Sequence, residues 1–456
     1  MILQALHDYY QRKSLDPDPA RRLPAFGLEE KEIAFVLELT RDGQLAGIKD
    51  TRTGVGKQKS ATRFLVTKGA KRSSGVAANL LWDNAEYVLG APDGKKLETA
   101  HRNGKSEEYE RRLVEMHAAF RARISALPPS ALQDEGVAAV LAFLDHEPLA
   151  SVATDSAWPE IAATNPTLTF RLSTDIDLVA QRPAVSTASA DPADAEIDDS
   201  TSRPCLVTGD IGPTAQLHTA IKGVWGAQTS GANIVSFNLD AFRSFGKEQG
   251  ANAPVGSTAA FAYTTALNHL LEKGSRQRMQ VGDASTVFWS QRKDDADMED
   301  WFAEAFGQHD DPDARTDRIR ALFDAIQTGR FDGARGEGRF FVLGLAPNAA
   351  RIAVRFWHTA SLADIAVNIR RWFDDLRIVR GPNDPEYPSL FRLLTAIALQ
   401  NKADNIPPRL GGDIMRAILT GSPFPATWLN AAIQRSRAEQ KVTWLRAAAI
   451  RACLNR

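Results

Sequence analysis

The stretch FFVLGLAPNAARIAVRFW, residues 340–357, reads as two strands joined by a turn. Phe340 to Leu345 is a short apolar run, Pro347-Asn348 turns the chain, and Arg351 to Trp357 alternates with Ile352, Val354 and Phe356 set inward. Beyond about Leu362 the period becomes helical, over 362–376, 388–400, 409–419, 426–438 and 440–454. Strands followed by a run of helices, without strict alternation, predict an α+β chain whose C-terminal region is helical.

Upstream, Val281 to Trp289 reads as another strand, and residues 293–317 form an acidic run that suits an exposed helix and loop. The segment IKGVWGAQTSGANIVSFNLDAFRSFGKEQGANAPVGSTAAFAYTT, residues 221–265, is rich in glycine, amides, hydroxyls and lysine. Glycine reaches positive φ and lets backbone approach a neighbour closely, at an entropic cost. Such a stretch suits a surface that grips something polar. A helix capped by Ser257 follows it and runs to about Lys273, and Cys205 to Thr208 precedes it as a strand.

In the N-terminal part, Ile33, Phe35, Leu37 and Leu39 alternate, Asp42-Gly43 supplies a turn, and Gln44 to Ile48 return as a hairpin. Leu80 to Leu89 reads as a short helix closed by Gly90, and Glu107 to Leu127 and Leu132 to Leu144 as longer ones. Residues 173–203, with Pro, Ser, Ala and acid and little to bury, fit a loop or linker. Four parts result: a mixed domain over 1–172, the linker 173–203, a mixed domain over 204–360 and the helical region 361–456.

Composition excludes several classes. Two distant cysteines, Cys205 and Cys453, supply neither a disulfide framework nor a zinc site, so a reducing cytoplasm is expected. No apolar run approaches the roughly 20 residues of a membrane span. A net charge of −1 argues against coating nucleic acid with the whole surface. Gly54-Val-Gly56-Lys57-Gln58 fails as a phosphate loop, because Gln58 and Thr51 stand where a hydroxyl and a glycine are needed. The pairs His7-Asp8 and His309-Asp310 lack the further ligands of a two-metal site. No Gly-x-Ser-x-Gly elbow is present. No catalytic set, metal site or cofactor is expected.

The strongest local charge bias runs from Arg41 to Arg72, nine Lys/Arg against two acids, a local excess of 9 − 2 = +7. It leads into Lys71-Arg72-Ser73-Ser74-Gly75-Val-Ala-Ala-Asn79. Cations track phosphates and release counterions, and small polar side chains contact phosphates or base edges. A solvated loop beside a hairpin is the ordinary alternative.

Several segments together carry a resemblance: MILQAL at 1–6, KRSSGVAANLLWDNAEYVLG at 71–90, CLVTG at 205–209, IKGVWGAQTSGANIVSFN at 221–238, FGKEQGANAPV at 245–255, AFAYTTALN at 260–268, GDASTVFW at 282–289, LGLAPNAARIAVRFW at 343–357 and RAILTGSPFP at 416–425. They resemble the large subunit of the type I-C CRISPR effector, the Cascade surveillance complex, nearly end to end. The resemblance implies a subunit without enzymatic activity that reads the protospacer-adjacent motif in double-stranded target DNA. It implies duplex opening and R-loop formation, contact with the displaced single strand and recruitment of the helicase–nuclease. The implied partners are the guide RNA, the guide-5′-end-binding subunit, the backbone subunits and the small subunit, with no membrane. Guide pairing then supplies sequence specificity. In that frame Lys57, Lys59, Arg63, Lys68, Lys71 and Arg72 are candidate phosphate contacts, and Ser73, Ser74, Gly75 and Asn79 candidate motif readers. Lys222, Trp225, Gln228, Thr229, Ser230 and Asn252 are candidates for strand separation or strand contact. The family's large subunits usually continue beyond the point where this sequence stops, into a helical region similar to the small subunit. A metal-dependent nuclease and a purely structural scaffold are the rival readings.

Overall fold

The computed structural model describes residues 2–18, 21–54, 59–70, 75–190, 202–292, 299, 300, 302, 303, 306, 338–349, 351–382 and 384–456. The chain divides into two units, Pro24–Ile197 and a second made of Met1–Leu23 with Asp198–Arg456. The architecture is α+β in both, with small sheets and many helices.

In the Pro24–Ile197 unit, strand β1 (Leu28–Ile33) pairs antiparallel with β4 (Thr62–Thr67) as a two-stranded ribbon. Strands β2 (Phe35–Leu39), β3 (Leu45–Asp50), β5 (Trp82–Asn84) and β6 (Thr167–Leu172) form a sheet in the order β3-β2-β6-β5. The β2–β3 hairpin turns at Asp42-Gly43, where Gly43 has φ 77° and a Cβ would lie 2.7 Å from that of Ala142. β2 is apolar on both faces, with Phe35, Val36, Leu37 and Leu39 buried, and it takes β6 as a parallel neighbour. The helices Ser106–Ser125 and Glu135–Asp145 cover that sheet, setting Phe120 and Phe143 about 6 Å from Phe170.

Three sequence expectations change here. Residues 80–84 are not helical: β5 occupies Trp82–Asn84, and the helix is only Ala85–Leu89, capped by Asn84 and closed by Gly90 at φ 64°. The segment from 173 is no linker as far as 190. Leu178, Val179, Ala180 and Val185 are buried, and Arg182 ties Asp134 and Asp175 to it, so a few apolar side chains outweigh the polar composition. Residues 191–201 of that segment lie outside the described residues, as do His309, Asp310 and most of 293–317. The helix Ile2–Ser14, read as part of the N-terminal domain, belongs to the other unit.

In that second unit, β7 (Arg203–Pro204) and β8 (Ile211–Gly212) form a short pair, so residues 205–208 turn where a strand was expected. Strands β9 (Arg278–Val281), β10 (Ala284–Ser290), β11 (Arg339–Asn348) and β12 (Arg351–Ser361) form an antiparallel sheet in the order β12-β11-β10-β9. Gly282-Asp283 breaks the single strand expected at 281–289 into a hairpin. β11 continues through Pro347 and Asn348, and the turn follows at Ala349 with φ 51°. One face of the sheet carries Phe288, Phe340, Val342 and Phe356 into a core shared with the helices Leu362–Leu376, Leu390–Ile397, Leu410–Thr420, Ala426–Ala438 and Trp444–Asn455. The helical C-terminal region therefore shares one hydrophobic core with this sheet. The other face stacks Trp289, Phe341 and Trp357 beneath Tyr9 of the Ile2–Ser14 helix. Tyr10 of that helix meets Phe261 of the helix Ser257–Leu270, whose N-cap is Gly256 in place of Ser257.

A register shift between Gly344 and Leu345 explains a missed burial. One extra residue in β12 exchanges the faces of everything beyond it. Phe356 points to the helices, against the bare α-carbon of Gly344, while Val354 is 41% exposed and not inward.

Glu299 gives this unit a pH signature. Its carboxylate accepts from Ser290 N at 2.7 Å, Ser290 Oγ at 2.6 Å and Gln277 Nε2 at 2.9 Å. Burial nonetheless pushes its pKa up from the ordinary 4.5. The folded chain therefore holds this proton to higher pH than the unfolded chain. Its stabilising contribution is complete below about 4.5 and is lost as pH rises through the raised value. The variant Glu299→Gln carries no titrating group, so its unfolding free energy relative to wild type should increase as pH rises from about 4.5. Denaturant titrations at several pH values read the sign of that slope.

Candidate nucleic-acid interface

In the Pro24–Ile197 unit, the basic run has acidic partners that its own sequence does not contain. Arg63 on β4 lies across from Glu32 and Glu30 on β1, 3.6 and 4.0 Å away. Lys59 stands 4.0 Å from Glu160, and Arg41 3.2 Å from Glu135. Arg52 bridges Asp50 and Glu160 over the Phe35 ring, and its hydrogen bond holds the Glu160 carboxyl below the usual carboxylate range. Four of the nine cations are thus answered by acids, most of them cross-strand or distant in sequence. Lys68 donates its backbone N–H to Gly27 O at 2.7 Å. Lys57, Lys71, Arg72, Ser73 and Ser74 lie outside the described residues.

Ala70 and Asn79 are joined: Ala70 N donates to Asn79 Oδ1 at 2.8 Å. Asn79 N donates in turn to Asp83 Oδ2 at 2.9 Å, and Gly69 N to Glu29 Oε1 at 3.1 Å. Trp82 Nε1 reaches Thr67 O at 2.7 Å, with the Lys31 ammonium 5.1 Å from the indole centre. A polar cleft of about 370 Å³ opens beside this closure, lined by Glu29, Lys31, Asn79, Trp82, Asp83 and Thr167 among others. Asn79 is buried with its carboxamide oxygen already engaged, so its geometry is that of a loop clamp. Gly75 has φ 124° and open space where a Cβ would project.

In the second unit, the glycine-rich segment forms two braced loops. Ile221 and Ala232 exchange backbone hydrogen bonds at 2.8 and 3.0 Å and close the first. At its base Asn268 accepts from Lys222 N at 2.8 Å and donates to Ala220 O at 3.2 Å. Gly223 has φ 82°, and a Cβ there would lie 2.6 Å from Leu271 O. Trp225 N donates to Ser285 Oγ at 2.9 Å while its indole is 57% exposed. Lys222, Gln228, Thr229 and Ser230 are exposed on the same loop. Asn252 is spent inside the second loop: it accepts from Ser244 N at 3.0 Å and donates to Lys247 O and Gln249 O at 3.2 and 3.1 Å. Arg351 fastens the segment to β12. Its strand bridges Asn233, its guanidinium donates to Asn238 Oδ1 at 2.5 Å, and it lies 4.1 Å from the Phe242 ring.

Sequence reading missed Phe245, 97% exposed on the second loop. An aromatic between Ser244 and Gly246 in a polar run was the available signal. Among the described residues no three or more His, Cys, Asp and Glu side chains form a metal-binding group, and no helix is long and apolar enough to cross a membrane.

No curated protein matches this chain. The family of the CRISPR-associated protein Cas_Csd1 matches it from residue 6 to residue 456. With nearly every residue inside that match, the chain belongs to the CRISPR-associated Csd1 family.

Proposed function

We propose that this chain is the non-catalytic large subunit of a type I-C RNA-guided surveillance complex in antiviral defence. It recognises the protospacer-adjacent motif in duplex DNA, promotes opening and R-loop formation, contacts the displaced strand and recruits the helicase–nuclease. Family membership supports a place in a CRISPR effector. The observation that carries the DNA-reading role is the closure at Ala70 and Asn79. It joins residues that flank the sequence Lys71-Arg72-Ser73-Ser74-Gly75, which combines cations with small polar groups. Cations there would hold the duplex backbone while hydroxyls and backbone reach base edges, and a degenerate minor-groove pattern would admit several related motifs. The exposed indole and hydroxyls of the 221–232 loop would meet unpaired strand.

Photo-crosslinking within the target-bound complex tests the reading. Adducts to DNA within 41–79 and within 221–252 are expected. Adducts confined to protein and guide RNA would instead make the chain a scaffold. Metal-dependent cleavage of DNA by the purified chain, lost on changing His309 or Asp310, would make it a nuclease.

A further inference from the structure

Among the described large apolar side chains, Ile176, Phe245 and Val379 are more than 90% exposed, and of these only Phe245 has left-handed backbone, at φ 50°. That region crowds the Cβ of any L side chain, so the conformation persists only where its surroundings enforce it. They do so here. Gly246 continues the turn at φ 68°, and the Asn252 carboxamide holds Ser244, Lys247 and Gln249 from within. Gly250 anchors the loop from below, so close to Ala215 that a Cβ would overlap its carbonyl oxygen. The loop is braced, and what it braces is a ring that contributes nothing to any core.

The charges beside the ring narrow the ligand. Arg243 is engaged by Asp240 at 3.3 Å and Glu248 at 3.1 Å. Lys247, two residues after the ring, makes no ion pair among the described residues. A fully presented aromatic face, two residues from a lysine with no ion pair among the described residues, matches a nucleobase with its phosphate. A duplex keeps its bases stacked on each other, so the fitting ligand is unpaired strand.

We propose that Phe245 is a stacking platform for an unpaired nucleobase of single-stranded DNA, with Lys247 as the adjoining phosphate contact. This rests on the reading above that the chain meets displaced strand.

The test uses the guide-loaded complex with the full chain and target DNA carrying 2-aminopurine at successive displaced-strand positions. Quenching at one position in wild type is expected, relieved in Phe245→Ala and kept in Phe245→Trp. Capture of DNA with a pre-opened bubble should weaken about tenfold in Phe245→Ala, while binding of motif-bearing duplex that does not match the guide, in which no strand is displaced, is unchanged. Phe245→Asn, which tolerates left-handed backbone, should unfold at the same or a higher temperature than wild type and still lose the quenching. Absence of ring-dependent quenching at every position overturns the proposal. So does loss of another subunit from purified Phe245→Ala complex with bubble capture intact, because the ring would then dock protein. Failure of the motif-reading role shows separately, as duplex capture that survives charge reversal at Lys71 and Arg72.

Discussion

Reversing Lys71 and Arg72 together to glutamate should reduce capture of motif-bearing duplex by the guide-loaded complex on the order of a hundredfold or more, with assembly of the complex intact. Each cation that neutralises a phosphate contributes a salt exponent of about 0.9. Removing two should flatten the dependence of log affinity on log salt by roughly 2. Several other cations of the run are engaged within the protein. Arg63 is held against Glu32 and Glu30, and Lys59 and Arg52 face Glu160. Those cations are already answered within the protein, so reversing Lys59 or Arg63 should weaken binding only several-fold. Binding titrations across salt check both statements. An unchanged affinity in the Lys71/Arg72 double variant, or an equal loss in the Arg63 variant, would remove the basis for placing DNA at this loop.

Arg446→Met should lower the unfolding free energy of the second unit by about 3 kcal/mol. Arg446 is 1% exposed among the C-terminal helices. Its Nε donates to Ala396 O at 2.8 Å, its Nη1 to Lys441 O at 3.0 Å and its Nη2 to Glu439 Oε2 at 2.5 Å. The last carbonyls of a helix have no partner within that helix. One guanidinium here serves the end of Leu390–Ile397 and the chain just after Ala426–Ala438. A methionine fills similar volume but leaves two carbonyls and a carboxylate without their donor. A fall in melting temperature of roughly 5–10 °C should accompany it. Arg446→Lys should recover only part of the loss, because one ammonium cannot match the three-way fork. Calorimetry on the purified chain distinguishes these outcomes, and a methionine variant as stable as wild type would contradict the clamp.

Parts of this molecule were legible because their information is local. The helices Leu362–Leu376 and Ala426–Ala438 fall where the spacing of apolar residues puts them. The β2–β3 hairpin turns at Asp42-Gly43 for the conformational reason that its glycine announces. The family resemblance was legible for a related reason, being carried by contiguous segments spread over the chain. Other parts were misread because their cause is distant. Residues 178–188 look like linker until their few apolar side chains find the core of the Pro24–Ile197 unit. Val354 looks buried until one extra residue in β12 exchanges the two faces.

The sequence by itself determined the α+β class, the placement of most helices and the family, since periodicity, turn chemistry and motif order are properties of neighbouring residues. Only the tertiary structure decided which cations are neutralised, by bringing Glu30, Glu32, Glu135 and Glu160 against a run that holds only two acids of its own. It alone showed that Asn79 and Asn252 are spent as loop clamps, and that Phe245 is held out to solvent. Charge compensation, hydrogen-bond engagement and exposure depend on what folding places alongside a residue, and those neighbours lie far away in the chain.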